Sequence, residues 1–142
     1  MYKVKIFSIG KNKAQWLDDG VEEYTRRLKP ILSIEWILSK NNEQLALLLE
    51  KEDGYICLDP HGVQMTSEKF SHYLHQQLFN NGSRLSFVIG GADGIPEKIK
   101  KDASSLLSLS LLTFPHQLTR IIFLEQIYRA TEIEKKSPYH KY

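Results

Sequence analysis

The chain has 142 residues, 42% of them hydrophobic and 25% charged, which is typical of one globular domain. Nineteen basic against seventeen acidic residues give a net charge of +2, too small to predict nucleic-acid binding by itself. No apolar run reaches the roughly 18 residues of a membrane-spanning helix and no signal-peptide core is present, so we expect a cytoplasmic protein without a membrane partner. The single cysteine, Cys57, excludes an internal disulfide and a cysteine-based zinc site, and we interpret it as a core residue.

Basic residues gather in three segments of the chain. These are residues 26–29, 98–101 and 135–141. Charge clusters of this kind are usually solvated helix faces, and contact with nucleic acid is the alternative.

Strand and helix patterns alternate along the first half of the chain. Apolar runs at 2–9, 31–38 and 55–59 predict three strands, and the Pro-His-Gly sequence at 60–62 predicts a turn. Helical spacing predicts one helix that ends at Pro30, a second through 45–49, and a third from a Thr66 or Ser67 cap to about residue 80.

The last third of the chain has the most unusual pattern. A strand at 85–89 runs directly into the glycine turn GGADG at 90–94, where bare backbone N–H groups can approach a ligand. A short helix at 96–103 precedes the run LLSLSLLTF at 106–114, which predicts a buried strand that unwinds into a loop before Pro115. Helical spacing then continues over 116–136, and a polar tail follows.

This alternation predicts an α/β fold in which a mostly parallel sheet carries helices on both faces, as a single domain over 1–142. Ligands of such sheets bind at the carboxyl ends of strands. Unusual sequences follow three strands, at 58–62, 89–94 and 111–116, and we expect them to converge.

The glycine turn fits neither common nucleotide motif. A dinucleotide site has G-x-G-x-x-G after the first strand, and a P-loop has G-K-[ST]. What remains is a cleft of backbone and apolar side chains, which suits an adenine ring; for the loop part, a plain core strand is the alternative. The candidate lining residues are Leu58, Gly90, Gly91, Leu109, Ser110, Leu111, Leu112, Thr113 and Phe114.

The tail carries side chains suited to catalysis or RNA binding. His140 belongs to the residue type whose unperturbed pKa, about 6.5, lies closest to neutrality, which suits a catalytic acid or base. Tyr139 can stack on a base, and Lys141 can contact a phosphate. The alternative is that the tail is a frayed end. Glu125 and Arg129 lie four residues apart on the last helix, the spacing of an ordinary ion pair.

The segments VIGGADG, LSLSLLTFPHQLTRIIFLEQIYRA and SPYHKY resemble the large-subunit ribosomal RNA methyltransferase H family, the YbeA-like branch of the SPOUT methyltransferases. The resemblance extends to the early strand YKVKIFSIGK, the EEYTRRL helix and the LD-x-x-G step at 58–62. It implies a trefoil knot in about 85–142. It also implies that S-adenosylmethionine, without a metal, binds at the cleft positions given above.

The resemblance further implies methylation of N3 of pseudouridine 1915 in 23S rRNA within the assembled ribosome. The implied catalytic residues are His140, Tyr139, Arg129 and Glu125, and the implied substrate-binding residues are Tyr139, His140 and Lys141. An imide N3 is protonated at neutral pH, so the site needs either a base or a charge that favours the anion.

The resemblance implies a homodimer in which the tail of one subunit completes the site of the other. Our candidate interface is the stripe Ile121, Leu124 and Tyr128, and core packing is the alternative. Ala92, Asp93 and Lys141 stand where relatives often have Pro, Glu and Arg. Because of these departures, a non-enzymatic RNA-associating module remains an alternative hypothesis. A third hypothesis is an α/β enzyme that acts on a small molecule.

Overall fold

In residues 1–141, which the computed structural model describes, five strands form one parallel sheet. The strands are β1 (Tyr2–Ile9), β2 (Leu32–Ser39), β3 (Ile56–Gln64), β4 (Arg84–Val88) and β5 (Ser105–Ser108). The helices are α1 (Gln15–Leu28), α2 (Asn42–Leu49), α3 (Ser67–Asn80), α4 (Glu97–Asp102) and α5 (His116–Glu134). The strand order is β2-β1-β4-β3-β5, and Tyr142 of the predicted domain lies outside the described residues.

Helices cover both faces of the sheet, as the alternating pattern predicts. Helices α1, α3 and α5 share one core with alternate residues of the strands, and Phe87 of β4 meets Phe123 of α5 edge to face at 4.8 Å between ring centroids. Helices α2 and α4 cover the opposite face. In β1, Ile6 faces the first core and Phe7 the second, because successive side chains of a strand point to opposite faces.

One local prediction near β5 is wrong. Residues 60–62 do not form a turn between elements; they lie within β3, where the pairing with β5 shifts register between Leu58 and Val63. Glycine permits this bulge, since a Cβ at Gly62 would lie 2.5 Å from the Leu106 carbonyl carbon. The prediction for the last third is confirmed: its second strand ends at Ser108, and residues 109–115 form a loop before α5.

Helix α5 packs against both α1 and α3, and its first turn borders the cleft at the carboxyl edge of the sheet. Gly20 lets α1 approach it closely, since a Cβ there would stand 2.7 Å from Ile121 Cδ1. The trefoil knot expected over 85–142 stays a prediction. No helix of residues 1–141 combines the length and the hydropathy that crossing a lipid bilayer requires.

Candidate cofactor cleft and tail site

Three strand ends enclose a cleft of about 220 Å³ at the carboxyl edge of the sheet. The end of β4 supplies the glycine turn, the bulged part of β3 supplies Leu58 to Pro60, and the loop after β5 supplies a third wall. The predicted convergence of these segments is confirmed. Eight of the nine candidate lining residues border the cleft: Leu58, Gly90, Gly91, Leu109, Ser110, Leu112, Thr113 and Phe114.

Glycine is required in the turn by close backbone approach. A Cβ at Gly90 would lie 2.7 Å from the Gly94 carbonyl carbon and 2.8 Å from the Ile95 nitrogen, so a side chain there would displace backbone. Gly94 has φ +81° and donates its N–H to Gly91 O at 3.0 Å, which closes the turn. The floor of the cleft is therefore main chain, and it presents peptide groups rather than side chains.

The loop after β5 is held by its own serines. Ser108 Oγ donates to Ser110 O at 3.1 Å, and Ser110 Oγ accepts from Leu112 N at 2.9 Å. Leu111 and Leu112 are 73% and 71% exposed, and Leu111 does not border the cleft. Leu111 is therefore the one candidate cofactor-binding residue that does not line the cleft.

Asp59 is a charged residue of the cleft that sequence reasoning did not single out. Its Oδ1 accepts from His61 N at 2.8 Å, and its Oδ2 accepts from Lys100 Nζ at 3.1 Å. Burial would raise the pKa of Asp59, but these hydrogen bonds outweigh it and hold the pKa below its usual range. The Lys100 ammonium also pairs with Glu97 at 3.0 Å. Asp59 and Lys100 therefore each have a partner of opposite charge.

His116 borders the cleft at the start of α5. Burial, and then the positive charges of Arg120 and Lys13, lower the pKa of His116. The imidazole is therefore neutral at pH 7, where it can donate at one nitrogen and accept at the other.

Arg120 holds the loop behind the glycine turn, a role that no sequence pattern indicates. The side chain is 1% exposed, and it donates to Ile9 O at 2.7 Å, Gly10 O at 2.8 Å and Ser8 Oγ at 3.0 Å. Ile9 in turn packs beneath Gly91. From sequence, an arginine in a helix is normally predicted to be exposed to solvent. The burial of Arg120 is therefore evident only from the fold.

The tail folds back onto α5 and forms a compact polar group, which we call the tail cluster: Glu125, Arg129, Tyr139 and His140. Glu125 Oε2 accepts from Arg129 Nη2 at 2.9 Å and from the Tyr139 hydroxyl at 2.8 Å. Arg129 Nη1 lies 3.0 Å from His140 Nδ1, and its guanidinium stacks over the Tyr139 ring at 4.9 Å. The structure thus brings all four predicted catalytic residues together, and the described tail is docked rather than frayed.

The Tyr139 hydroxyl is held in its protonated form. Burial, and then the hydrogen bond to Glu125, raise the pKa of Tyr139 to about 12. The same carboxylate raises the pKa of Arg129. At neutral pH the cluster therefore contains a phenol that donates and a permanent cation, and Tyr139 is unsuited to act as a base.

A groove of about 550 Å³ lies between the tail cluster and the start of α3. The side chain of Thr66 caps α3 by accepting from Lys69 N at 3.1 Å, as the sequence predicts, and this cap places Ser67 and Glu68 on the groove wall. Gln126 bridges the two helices: it accepts from Ser67 Oγ at 2.8 Å and donates to Glu125 Oε1 at 2.9 Å. Sequence reasoning missed Gln126, because nothing in its spacing relates it to Ser67.

A smaller hollow of about 190 Å³ lies between the groove and the cleft. It shares Leu109 and Phe114 with the cleft and Gln126 with the groove. The cleft and the groove themselves have no lining residue in common. The two candidate sites are therefore neighbours on one surface, separated by the loop after β5.

The prediction that a stripe on α5 faces a second subunit is wrong for one of its three residues. Leu124 is fully buried in the core of its own chain, so it cannot face another subunit. Ile121 lies against Gly20, and Tyr128 packs between Tyr24 at 6.2 Å and Tyr139 at 4.9 Å between ring centroids. Core packing, the alternative reading, describes Leu124 correctly.

The basic segments are partly neutralised by nearby carboxylates. Arg26 and Arg27 both pair with Glu23, and Lys135 pairs with Glu132 at 2.9 Å. This pairing favours the interpretation of these segments as solvated helix faces. Lys141 is exposed beyond the tail cluster.

Comparison with known proteins places the chain in a family. A sequence model described as "Predicted SPOUT methyltransferase" matches residues 2–140. A protein of Protochlamydia amoebophila named ribosomal RNA large subunit methyltransferase H is 52% identical over 141 residues, covering 99% of this chain and 100% of that protein. One of the same name from Streptococcus mutans is 40% identical, covering 98% of this chain and 99% of that protein.

Solved structures support the fold independently. A probable methyltransferase from Bordetella pertussis aligns with a TM-score of 0.57 at 8% identity, over 91% of this chain and 96% of that one. A probable methylase family protein from Haemophilus influenzae aligns with a TM-score of 0.56 at 7% identity, over 99% of this chain and 70% of that one. The chain belongs to the SPOUT methyltransferases and, within them, to the family of the ribosomal RNA large subunit methyltransferase H proteins.

Proposed function

We propose that the protein transfers a methyl group from S-adenosylmethionine to N3 of pseudouridine 1915 in 23S rRNA, in the cytoplasm and on the assembled ribosome. The observation that carries the proposal is the pairing of a main-chain cleft with a docked tail cluster. This pairing occurs in a chain that is 52% identical, over its whole length, to a protein named ribosomal RNA large subunit methyltransferase H.

The residues of the cleft fit the cofactor. Main-chain groups of the turn at 90–94 and of the loop at 109–114 suit the hydrogen-bonding edge of an adenine, and Leu58, Leu109 and Phe114 supply apolar contact for its faces. The close approach at Gly90 leaves no room for a side chain in that cradle. When bound, the cofactor supplies an activated methyl group, so the protein mainly has to align the acceptor and exclude water.

The tail cluster is proposed to hold the RNA. Beside an open groove, the cluster presents the aromatic ring of Tyr139 and the positive charge of Arg129, and Lys141 adds a second positive charge. An aromatic ring can stack on an unpaired base, and positive charges can bind its phosphate. Glu125 orients both Arg129 and Tyr139. Its carboxylate is therefore proposed to act through its neighbours rather than on the substrate.

A homodimer is proposed to complete the site, with the tail of one subunit beside the cofactor of the other. Two observations support it. The cleft and the tail groove of one chain share no lining residue, and the apolar side chains of Leu111 and Leu112 protrude beside the cleft, where a second subunit would cover them. Sedimentation velocity of the purified chain tests this assembly, and a monomer at working concentration contradicts it.

The function is tested with purified protein, S-adenosylmethionine and ribosomes that lack the modification. Mass spectrometry of the digested RNA should show one added methyl group at the pseudouridine. A folded protein that binds the cofactor but leaves this nucleotide unmethylated contradicts the proposal. Methylation of free nucleosides without ribosomes would instead indicate a small-molecule enzyme.

A further inference from the structure

The contact between Arg129 and His140 determines which nitrogen of the histidine ring carries a proton. Arg129 Nη1 lies 3.0 Å from His140 Nδ1. A guanidinium has donors and no acceptor, so Nδ1 must accept and must itself be unprotonated. The neutral ring then carries its proton on Nε2.

The other ring nitrogen lacks a hydrogen-bond partner. Among residues 1–141, no acceptor is aligned with the buried Nε2. The nearest charge is Glu68 Oε2 at 3.2 Å, a contact close enough for electrostatic attraction but without the angles of a hydrogen bond. Leaving a buried donor unsatisfied is unfavourable, so its presence points to a ligand atom that pairs with it.

The position of Glu68 leaves a route to this nitrogen. Glu68 stands in the first turn of α3 with its side chain 54% exposed, and it lines the same groove as His140. Rotation of this carboxylate toward solvent would expose Nε2 on the wall of the groove, which Arg129 also lines. The uncovered wall presents an N–H donor beside a permanent cation.

We propose that His140 donates from Nε2–H to a carbonyl oxygen of the acceptor base and does not remove the N3 proton. This inference rests on the proposed function. The imide anion carries its charge mainly on the two flanking carbonyl oxygens, so a fixed donor and the nearby Arg129 charge favour that anion. His140 is then a catalytic residue through charge stabilisation rather than proton abstraction.

The reaction balances without a protein base. The imide gives its N3 proton to water, and the electron pair left on N3 forms the bond to the methyl carbon. The carbon–sulfur bond breaks with its electrons on sulfur, and the sulfonium charge is neutralised. His140 keeps its proton throughout and strengthens its hydrogen bond as the oxygen becomes negative.

Groups from both α5 and α3 face the His140 ring. Arg129 of α5 faces Nδ1, and an imidazolium would place a second N–H against it; Glu125 lies behind Arg129, and the Tyr139 hydroxyl donates to Glu125. From α3, Glu68 favours a proton on Nε2. Both influences are compatible with one species, the neutral ring protonated at Nε2.

The tautomer can be measured directly in the full-length protein without substrate. Two-bond ¹H–¹⁵N correlation spectra at about pH 8, above the usual pKa of histidine, report which ring nitrogen is protonated. We expect His140 to be protonated at Nε2 only, and to become a mixture of tautomers in Arg129→Met. A wild-type spectrum with the proton on Nδ1 overturns the inference, whatever the activity of the enzyme.

Kinetics with a matched pair of variants test the role in turnover. His140→Gln keeps an N–H donor near the Nε2 position but cannot accept a proton at neutral pH, whereas His140→Ala has neither property. We expect kcat to fall about 10²–10³-fold in His140→Ala and within about tenfold in His140→Gln, as for other donors to a developing anion. Equal loss in the two variants contradicts a donor role.

The pH profile separates the two roles further. Because the ionising group is the imide, log kcat should rise with pH with the same slope in wild type and His140→Gln. A break that is present in wild type and absent in His140→Gln would show that His140 is the base. If wild type itself methylates no ribosomal RNA, the proposed function fails; if it does and the variants behave alike, only this inference fails.

Discussion

The proposed cofactor cleft and the tail cluster lie on one surface and are built in opposite ways. The cleft consists of backbone and apolar side chains from short segments that each follow a strand, and its floor at Gly90 has no side chain at all. The tail cluster consists of charged and aromatic side chains gathered from α5 and the tail, each held by a hydrogen bond to another. We expect the first arrangement to hold a ligand by shape and the second to place charge beside the substrate.

This difference predicts that the two regions can be separated by mutation. A change that alters the shape of the cleft should remove cofactor binding, whereas a change in the tail cluster should remove turnover and leave cofactor affinity intact. Each experiment below challenges that division or tests the residues that support it.

The largest effect is expected from Gly90→Val. The new side chain would collide with the backbone at Gly94 and Ile95, so the turn must move and the cofactor affinity should fall by more than about 100-fold. Isothermal titration calorimetry with S-adenosylhomocysteine measures the loss. Leu47→Val, at an exposed position of α2 that does not border the cleft, is the control and should bind normally; unchanged binding in Gly90→Val would contradict the account of the cleft.

Arg129→Met should affect turnover instead. It removes the cation that stacks on Tyr139, contacts His140 and pairs with Glu125, while keeping much of the side-chain length. We expect kcat on ribosomes to fall about 10²-fold with calorimetric affinity for S-adenosylhomocysteine unchanged. Loss of cofactor affinity in this variant would show that the two regions are not separable.

Asp59→Asn tests the ionic wall of the cleft through its pH dependence. The pKa of Asp59 is lowered on folding, so this group stabilises the protein above its unfolded pKa of about 3.9, and the contribution is lost as pH falls through the lower folded pKa. Wild type should therefore exceed the variant by about 1–2 kcal/mol in free energy of unfolding at pH 7, by loss of a charged hydrogen bond.

The difference should shrink as acid protonates Asp59 in wild type. Urea denaturation at a series of pH values measures both free energies. If the difference in free energy of unfolding stays constant down to the lowest pH at which both proteins fold, the charge of the Asp59 carboxylate is not its cause.

The smallest effect concerns Cys57, which lies beneath the same wall. Burial, and then the charge of Asp59, raise the pKa of the Cys57 thiol to about 12, so almost none is thiolate at neutral pH. Iodoacetamide should leave the native protein unlabelled under conditions that label it fully in urea, as mass spectrometry can show. Rapid labelling of the native chain would contradict its assignment as an inert core residue.

The cleft could be predicted from the sequence because its parts are local. Glycines that end a strand, and an apolar run that stops at Pro115, each carry their signal within about ten residues, and the parallel sheet places strand ends together. The same reasoning placed residues 60–62 in a turn, because Pro-His-Gly is a turn sequence in isolation. Pairing with β5 keeps these residues in the strand as a bulge instead.

The tail cluster could be predicted only in part. The family resemblance supplied its four residues but not the contacts around them: Gln126 and Glu68 of the neighbouring groove have no local pattern that reveals their partners, and neither has Arg120, which is buried behind the glycine turn. Their contacts join segments 59 to 112 residues apart, and only the packing of α5 against the rest of the chain brings them together.

The most direct measurement is calorimetric titration of the purified protein with S-adenosylhomocysteine, beside two variants that each add an arginine at an exposed position. Thr113→Arg places the new side chain at the wall of the cleft, and Phe79→Arg places it on α3, where Phe79 is 84% exposed. We predict saturable binding to wild type and Phe79→Arg and none to Thr113→Arg. Absence of binding to folded wild type, or equal binding to all three proteins, would contradict the cofactor cleft.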